Sequence, residues 1–279
     1  MTNPEPKVVL SIAGSDSGGG AGIQADIKTI EAHGAFAMTA VTAVTAQNSR
    51  GVQGIFSISP EMLRKQIQSV FDDFPVAAVK TGMLYSSAHI RVVVEELARH
   101  SDVPIVVDPV MVAKGGASLL DDDSVDDLVE RLIPMAAVVT PNIPEACRIL
   151  RMRRISSIEE RRLAASLLHR MGSKAVVIKG GHLDGKATDL LYDGRQFRDM
   201  SEERVTTKHT HGTGCAFSAA IASNLAYGKD AAAAVVASKQ YVHNALLNVP
   251  GLGSGHGPLG FFHRLAPIRL VSADDAALL

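Results

Sequence analysis

The sequence predicts an α/β fold in which a mostly parallel sheet is covered by helices on both faces. Short apolar runs alternate along the chain with segments that carry apolar residues at helical spacing, as in right-handed βαβ units. The runs are almost wholly apolar, which is typical of parallel strands buried on both faces. The chain has 279 residues and is 46% hydrophobic, enough for one large domain or at most two.

The first half of the chain predicts four strands and three helices. A buried strand, VVLSIAG, is followed by a helix that starts at Gly22 and stops at Gly34. A β-branched run comes next, and the following helix has Ser59 as its cap and Pro60 at its first helical position. The predicted strands cover residues 8–14, 36–48, 76–82 and 104–111, and the predicted helices cover residues 22–34, 59–74 and 86–100.

The second half of the chain continues this alternation. A hairpin is predicted around Asp193-Gly194, and two alanine-rich helices follow it. We expect one domain over residues 1–265 and a loose tail over residues 266–279, which show no strong pattern. The predicted strands cover residues 136–142 and 174–181, and the predicted helices cover residues 123–134, 157–172, 214–227 and 230–248.

Composition and charge exclude several classes of protein. The formal net charge is −1 with no basic block, so we do not expect a nucleic-acid partner. No apolar run reaches the roughly 18 residues of a membrane span, and the N-terminus MTNPEPK is unlike a signal peptide. The two cysteines, Cys147 and Cys215, cannot form a disulfide framework, so a reducing cytoplasm is the expected location.

The residues that follow each strand form the candidate site, because ligands of parallel sheets bind beyond the carboxyl ends of the strands. The first strand leads into GSDSGGGAGIQAD, which fits neither a Walker loop nor G-x-G-x-x-G but lets a ligand approach the backbone closely. Asp108, Asn142, Glu145 and Lys179 follow later strands. Each of these residues also has a purely structural explanation. Asp108 would belong to a turn, Asn142 and Glu145 would form a helix-capping box, and Lys179 would be an ordinary surface lysine.

The segment THGTGC, residues 210–215, opens an alanine-rich helix and predicts an anion site. Its free backbone N–H groups and the helix dipole both favour negative charge. Cys215 would lie beside the anion, where a helix N-terminus lowers a thiol pKa, whereas Cys147 is expected to be a buried apolar side chain. His209 and His211 have no third metal ligand at close spacing, so we expect solvated loop histidines.

These groups share one predicted edge of the sheet and together indicate a chemistry. A carboxylate, an amide, a lysine and an anion site are the equipment of Mg²⁺-assisted phosphoryl transfer. In that reaction the protein mainly positions the phosphates and neutralises their charge. Each signal is weak alone, and only the combination points to a kinase.

Seven motifs occur in order and resemble the hydroxymethylpyrimidine/phosphomethylpyrimidine kinases of thiamine biosynthesis, members of the ribokinase-like fold. The motifs are SIAGSDSGGGAGIQADIKT, TAVTAQNSRGV, KTGML, DPVM, TPNIPEA, KGGH and THGTGC. The resemblance covers about residues 8–262 and implies a three-layer α/β/α sandwich. It also implies ATP-dependent phosphorylation of 4-amino-5-hydroxymethyl-2-methylpyrimidine, then of its monophosphate to the pyrophosphate.

The resemblance assigns roles to individual residues. The substrate ring would lie among Gly14, Asp26, Gln47, Met83 and Val110, and the amide of Gln47 can both donate to a ring nitrogen and accept from an exocyclic amine. Mg²⁺ would be held by Asp108 and Glu145. The ATP phosphates would be held by Asp108, Thr140, Asn142, Glu145 and Lys179, and the catalytic group would comprise Lys179 with Gly212, Thr213, Gly214 and Cys215.

Cys215 stands where many relatives of the wider fold have an aspartate base, so we expect a thiolate that accepts the substrate hydroxyl proton. A glycine-containing loop, GGASLL at residues 115–120, is expected by the same analogy to fold over the site.

Two rival functions remain open. A pyridoxal or pyridoxine kinase of vitamin B6 salvage would use the same pocket, although Gln47 favours the aminopyrimidine. A non-catalytic vitamin-binding protein on the same fold is disfavoured because the whole set of phosphoryl-transfer residues is present. The partners implied are a small pyrimidine and ATP, with no nucleic acid or membrane, and the resemblance implies a homodimer.

Overall fold

The computed structural model describes residues 5–112, 120–180 and 185–263. The expected tail, residues 266–279, and all but the last residue of the loop at 115–120 lie outside these ranges. Within them, no helix is both long enough and apolar enough to cross a membrane.

A nine-stranded sheet forms the centre of the molecule, in the order β3-β2-β1-β4-β5-β6-β7-β8-β9. The six central strands, from β2 to β7 in this order, are parallel to one another. At the two edges, β3 pairs antiparallel with β2, β8 with β7, and β9 with β8. The strands are β1 (Val8–Asp16), β2 (Phe36–Asn48), β3 (Gly51–Ser57), β4 (Val76–Thr81), β5 (Ile105–Val107), β6 (Val138–Val139), β7 (Val176–Ile178), β8 (Ala187–Tyr192) and β9 (Phe197–Glu202).

In the described part of the chain, eight α-helices cover both faces of the sheet. They are α1 (Gly22–Ala32), α2 (Pro60–Asp73), α3 (Ser87–Leu97), α4 (Asp122–Asp127), α5 (Ile143–Leu150), α6 (Ile158–Arg170), α7 (Thr213–Ala226) and α8 (Ala231–Leu247). Helices α2 to α6 pack on one face in a core that includes Leu10 and Ile105, and α1, α7 and α8 pack on the other with Val9 and Val106. Successive residues of one strand point to opposite faces, so β1 and β5 serve both cores.

Several helix starts follow the local chemistry of the sequence. The Ser59 side chain accepts from the Met62 N–H at 3.2 Å, and Pro60 occupies the first helical position, as predicted. Asn142 and Glu145 form a reciprocal capping box at the start of α5. That box fixes the chain where it leaves β6, and so it also fixes two candidate site residues.

The predicted three-layer sandwich with a mostly parallel sheet is confirmed, and two local predictions need correction. The sequence predicts no strand at β3, which contains Gly51 and Gly54 and is largely exposed. The helix predicted over 123–134 is only partly α-helical: α4 continues as a π-helical turn over Leu128–Leu132 and a 3₁₀ turn that contains Pro134. Proline lacks the N–H that a longer α-helix would use.

Candidate active site

One cavity of about 860 Å³ lies at the carboxyl edge of the parallel strands. This is the edge at which sequence reasoning placed the candidate residues, and ligands of such sheets bind there. Most of the predicted site residues line the cavity: Gly14, Gln47, Met83, Val110, Asp108, Asn142, Glu145, Lys179, Gly212, Thr213, Gly214 and Cys215.

The end of the cavity beside β1 and β2 is suited to a flat ring. Gly14 lies against Met83, and a Cβ built on Gly14 would approach the Met83 Cε atom to 2.3 Å. Only glycine therefore leaves Met83 in its place, with its side chain at the cavity wall together with Val110. Gln47, near the end of β2, adds an amide group to this otherwise apolar wall.

The other end of the cavity carries a lysine that lies beside two carboxylates. The Lys179 Nζ atom lies 2.8 Å from a carboxylate oxygen of Asp108 and 3.9 Å from one of Glu145. Desolvation alone would lower the pKa of Lys179, but these two carboxylates outweigh it and raise the pKa, so the ammonium group stays charged. Thr140 and Ser218 lie on the far side of Asp108, with hydroxyl oxygens 3.4 Å and 3.3 Å from its carboxylate.

Asn142 and Glu145 act first as structural caps. The Asn142 side chain accepts from the Glu145 N–H, and the Glu145 carboxylate accepts from the Asn142 N–H, both at 2.8 Å. Burial raises the pKa of Glu145 to about 7, with a further contribution from nearby Asp108 and an opposing one from Lys179. The helix-capping box, the purely structural explanation for these two residues, is thus present, and Glu145 also lines the cavity.

The start of α7 is built by the contact of two glycine-rich loops. Gly212 has φ +83°, and a Cβ built there would come within 1.7 Å of the Gly20 carbonyl oxygen. The next residues open the helix, whose first N–H groups have no partner within the helix itself. A Cβ on Gly214 would lie 3.3 Å from the Lys179 Nζ atom, so this helix start adjoins the charged cluster. The predicted anion site therefore has the required local structure.

Cys215 lies in the first turn of α7 and lines the cavity. Burial raises the pKa of the Cys215 thiol to about 11, with Asp26 and Asp108 adding to the rise and Lys80 opposing it. The expectation that the helix N-terminus lowers this pKa is wrong for the protein without its ligands. Desolvation of the thiolate exceeds the favourable effect of the helix dipole.

Asp26 and Thr140, two of the predicted site residues, are not among the residues that line the cavity. The Asp26 side chain is wholly buried, and its carboxylate accepts from Lys80 at 2.7 Å and from Ser11 at 2.6 Å. Lys80 lines the cavity and contacts Asp26, so the Asp26 carboxylate lies behind the cavity wall. Thr140 is likewise wholly buried, behind Asp108.

Sequence reasoning missed three further residues of this site. Lys80 is wholly buried near the end of β4 and lines the cavity. Asp16, at the end of β1, is buried and accepts from His211 Nε2 at 2.9 Å. His211 is only 9% exposed, so the expectation of a solvated loop histidine is wrong for it. Its position directly before the anion site was the available signal.

The donor set fits Mg²⁺ better than it fits a transition metal. Within the described part of the chain, no group of three or more histidine, cysteine or acidic side chains is arranged to hold a metal ion. Asp108 and Glu145 offer only carboxylate oxygens at the end of the cavity that contains Lys179. Mg²⁺ is usually bound in this way, by one or two carboxylates with water and substrate phosphates.

Two solved structures share this architecture and define the class as ribokinase-like kinases of small molecules. An ADP complex of Bacillus subtilis pyridoxal kinase has a TM-score of 0.87 and 36% identity, covering 94% of this chain and 100% of that one. The phosphomethylpyrimidine kinase of Clostridium difficile 630 has a TM-score of 0.77 and 41% identity, covering 86% and 99%.

The sequence comparisons identify the family within this class. The hydroxymethylpyrimidine/phosphomethylpyrimidine kinase of Bacillus subtilis (strain 168) is 49% identical over 255 residues, which is 91% of this chain and 94% of the relative. A family model described as phosphomethylpyrimidine kinase matches residues 16–260. The chain belongs to the phosphomethylpyrimidine kinase family, and the resemblance found in its motifs is confirmed.

Proposed function

We propose that the protein transfers phosphoryl groups from ATP to 4-amino-5-hydroxymethyl-2-methylpyrimidine and then to its monophosphate, forming the pyrophosphate used in thiamine biosynthesis. One observation carries the proposal: a single cavity joins an apolar wall bearing the Gln47 amide to a charged end containing Lys179 and the start of α7. The relatives named for hydroxymethylpyrimidine and phosphomethylpyrimidine support this substrate, and the structure named as a pyridoxal kinase supports a kinase of small ring compounds.

In this proposal each end of the cavity has its own task. Met83 and Val110 would hold the ring, and Gln47 would orient it so that its hydroxymethyl group faces the start of α7. Lys179 would neutralise charge on the transferred phosphoryl group, and backbone N–H groups at the start of α7 would donate to its oxygens. The reaction then depends on positioning and charge stabilisation, as expected for phosphoryl transfer.

Asp108 and Glu145 are the residues that would hold Mg²⁺, which supplies positive charge to the phosphates when it is bound. Bound nucleotide and metal would also change the surroundings of Lys179, whose two carboxylate partners are these same residues.

The test of the proposed function is a coupled assay of ATP consumption with Mg²⁺, run in parallel with hydroxymethylpyrimidine and with pyridoxal. Mass spectrometry of the products should show two phosphates added to the pyrimidine. Turnover of pyridoxal alone would favour vitamin B6 salvage, a function that the similarity to a pyridoxal kinase structure keeps in view. Turnover of neither compound would favour a vitamin-binding protein.

Cys215 is our proposed general base, and its raised pKa gives a specific pH dependence. A thiol with a pKa of about 11 is ionised in only about one molecule in ten thousand at pH 7. We therefore expect kcat/KM for the pyrimidine to rise nearly tenfold per pH unit from about pH 7 to 9. Cys215→Ala should lower kcat by about 100-fold and abolish this slope.

Cys147→Ala is the matched control, because this second cysteine packs against the core below α5 and α6 and does not line the cavity. Its kcat and pH profile should equal those of the wild-type protein. If Cys215→Ala keeps most of kcat, no thiolate base is needed and positioning alone carries the rate.

We also propose that the protein is a cytoplasmic homodimer with one catalytic domain over residues 1–265. The β2–β3 hairpin offers an apolar surface for a second copy, since Val44 and Phe56 are cross-strand partners and are 46% and 73% exposed. Exposed apolar pairs of this kind are commonly covered in an assembly.

A further inference from the structure

We propose that His211 is a positioning residue that fixes the amide of Gln47 and thereby selects an aminopyrimidine over a pyridine ring. This inference rests on the proposed function, because it concerns the same cavity. It stands on the packing of the imidazole, on its hydrogen bond to Asp16, and on the amide group that faces the same ring nitrogen.

The imidazole of His211 is held in place by its surroundings. The His211 backbone N–H donates to the Gly257 carbonyl at 3.1 Å, and His211 forms an isolated parallel β-bridge with Pro258. A Cβ built on Gly20 would lie 2.6 Å from the ring Cδ2 atom, so the first glycine loop packs directly on the ring. The ring is therefore held with its Nε2 atom beside the Asp16 carboxylate.

Asp16 determines that this ring nitrogen is a donor. Its carboxylate accepts from the N–H groups of Gly18 at 2.8 Å, Gly20 at 3.1 Å and Ala21 at 2.8 Å. Burial opposes ionisation, but the contact with His211 and the loop N–H groups outweigh it and lower the pKa of Asp16. An ionised carboxylate only accepts, so the His211 Nε2 atom, 2.9 Å away, must carry a hydrogen.

Gln47 faces this N–H group, and the contact decides which way its amide points. The Gln47 Nε2 atom lies 3.1 Å from His211 Nε2, and the Gln47 Oε1 atom lies 3.3 Å from the Thr45 hydroxyl. This placement sets the amide NH₂ against the His211 N–H. Turning the amide over instead lets its oxygen share the Nε2 hydrogen with the Asp16 carboxylate. The Thr45 hydroxyl already donates to the Ser15 carbonyl at 2.8 Å, so it can accept from the amide NH₂.

An amide fixed in this way presents one oxygen lone pair and one N–H to a ligand in the cavity. That pair matches an exocyclic amine beside a ring nitrogen, the edge that an aminopyrimidine offers. A pyridine ring bearing a hydroxyl group has no such adjacent pair, so it gains less from a fixed amide. Loss of His211 would let the amide adopt both orientations and would weaken the discrimination.

The experiment measures binding and turnover separately. Calorimetry with the hydroxymethylpyrimidine alone gives Kd, and steady-state kinetics give kcat, KM for ATP, and kcat/KM for the pyrimidine and for pyridoxal. For His211→Leu we expect Kd for the pyrimidine to rise about 10- to 100-fold. The loss of kcat/KM should be at least about fivefold greater for the pyrimidine than for pyridoxal, because only the pyrimidine uses the fixed amide. His211→Gln, which keeps an N–H at a similar reach, should recover most of the affinity.

A double-mutant cycle with Gln47→Ala separates positioning from general damage to the site. If His211 acts through Gln47, adding His211→Leu to Gln47→Ala should raise Kd by no more than about twofold. Additive losses would overturn the proposal, as would equal losses for pyrimidine and pyridoxal. Thr45→Val removes the other anchor of the amide, together with the hydrogen bond to the Ser15 carbonyl, and leaves both His211 and Asp16 in place. It should show the same selective loss of pyrimidine affinity, and a Kd unchanged in Thr45→Val would contradict the proposal even if His211→Leu fails to fold.

Failure of the inference and failure of the proposed function give different results. A wild-type protein that binds the pyrimidine without phosphorylating it would refute the kinase function, and the Kd values would still decide the role of His211. A wild-type protein that does not bind the pyrimidine would overturn both.

Discussion

Lys80→Met should lower the free energy of unfolding by about 3–5 kcal/mol, the largest effect on stability that we expect from a single change in this chain. Lys80 and Asp26 are both 0% exposed, and their charged atoms lie 2.7 Å apart. Burial alone would lower the pKa of Lys80, but Asp26, Cys215 and Asp108 outweigh it and raise the pKa. Methionine leaves the Asp26 carboxylate buried without its ammonium partner.

The measurement is urea denaturation at pH 7, with a surface ion pair as the control. Lys65 pairs with Glu61 one helical turn away, and their side chains are 63% and 77% exposed. Lys65→Met should therefore cost no more than about 0.5 kcal/mol. A loss for Lys80→Met as small as that of Lys65→Met would show that Asp26 takes up a proton at little cost.

Removal of both charges separates the cost of an unpaired carboxylate from the loss of packing. The double variant Lys80→Met with Asp26→Asn should recover more than half of the stability lost in Lys80→Met, because no buried charge remains. If the double variant is as unstable as the single one, the loss comes from packing around the lysine stem.

The fold could be predicted because its signals are local. The apolar runs and helix starts are short-range features, and so the alternation of elements follows from the sequence. Strand β3 lacks such a signal, since it is a glycine-containing and largely exposed edge strand that is stabilised by pairing with β2. Its existence depends on the rest of the sheet.

The site could be predicted only in part, because several of its contacts join distant parts of the chain. Lys80 ends an apolar strand, where a lysine is usually exposed; its partner Asp26 is 54 residues away. His211 and Asp16 are separated by 195 residues. The pKa of Cys215 depends on how deeply the helix start is buried, which the sequence does not reveal. Motifs identified the residues, and the fold determined their protonation and partners.

Gly212→Ala should lower kcat by at least about 1,000-fold, because it displaces the helix start that we propose as the binding site of the phosphoryl group. Gly212 has φ +83°, and an added Cβ would lie 1.7 Å from the Gly20 carbonyl oxygen. The left-handed backbone itself costs only about 1–2 kcal/mol for alanine. The clash is the greater problem, because neither the added Cβ nor the Gly20 carbonyl oxygen can move away by a side-chain rotation. The two glycine loops must separate, and the free N–H groups of α7 must move with them.

Gly228→Ala separates the two causes, because Gly228 has φ +80° and no atom lies within 4 Å of an added Cβ. It carries the same backbone strain at the far end of α7 without the clash, so it should lose about 1–2 kcal/mol of stability with kcat unchanged. Stopped-flow or steady-state kinetics, together with urea denaturation, measure both quantities for each variant. If Gly212→Ala keeps kcat within about tenfold of Gly228→Ala, the phosphoryl group does not bind at the start of α7. The charge of Lys179 would then be the main element that stabilises the transferred group, and the glycine contact would serve only to pack two loops together.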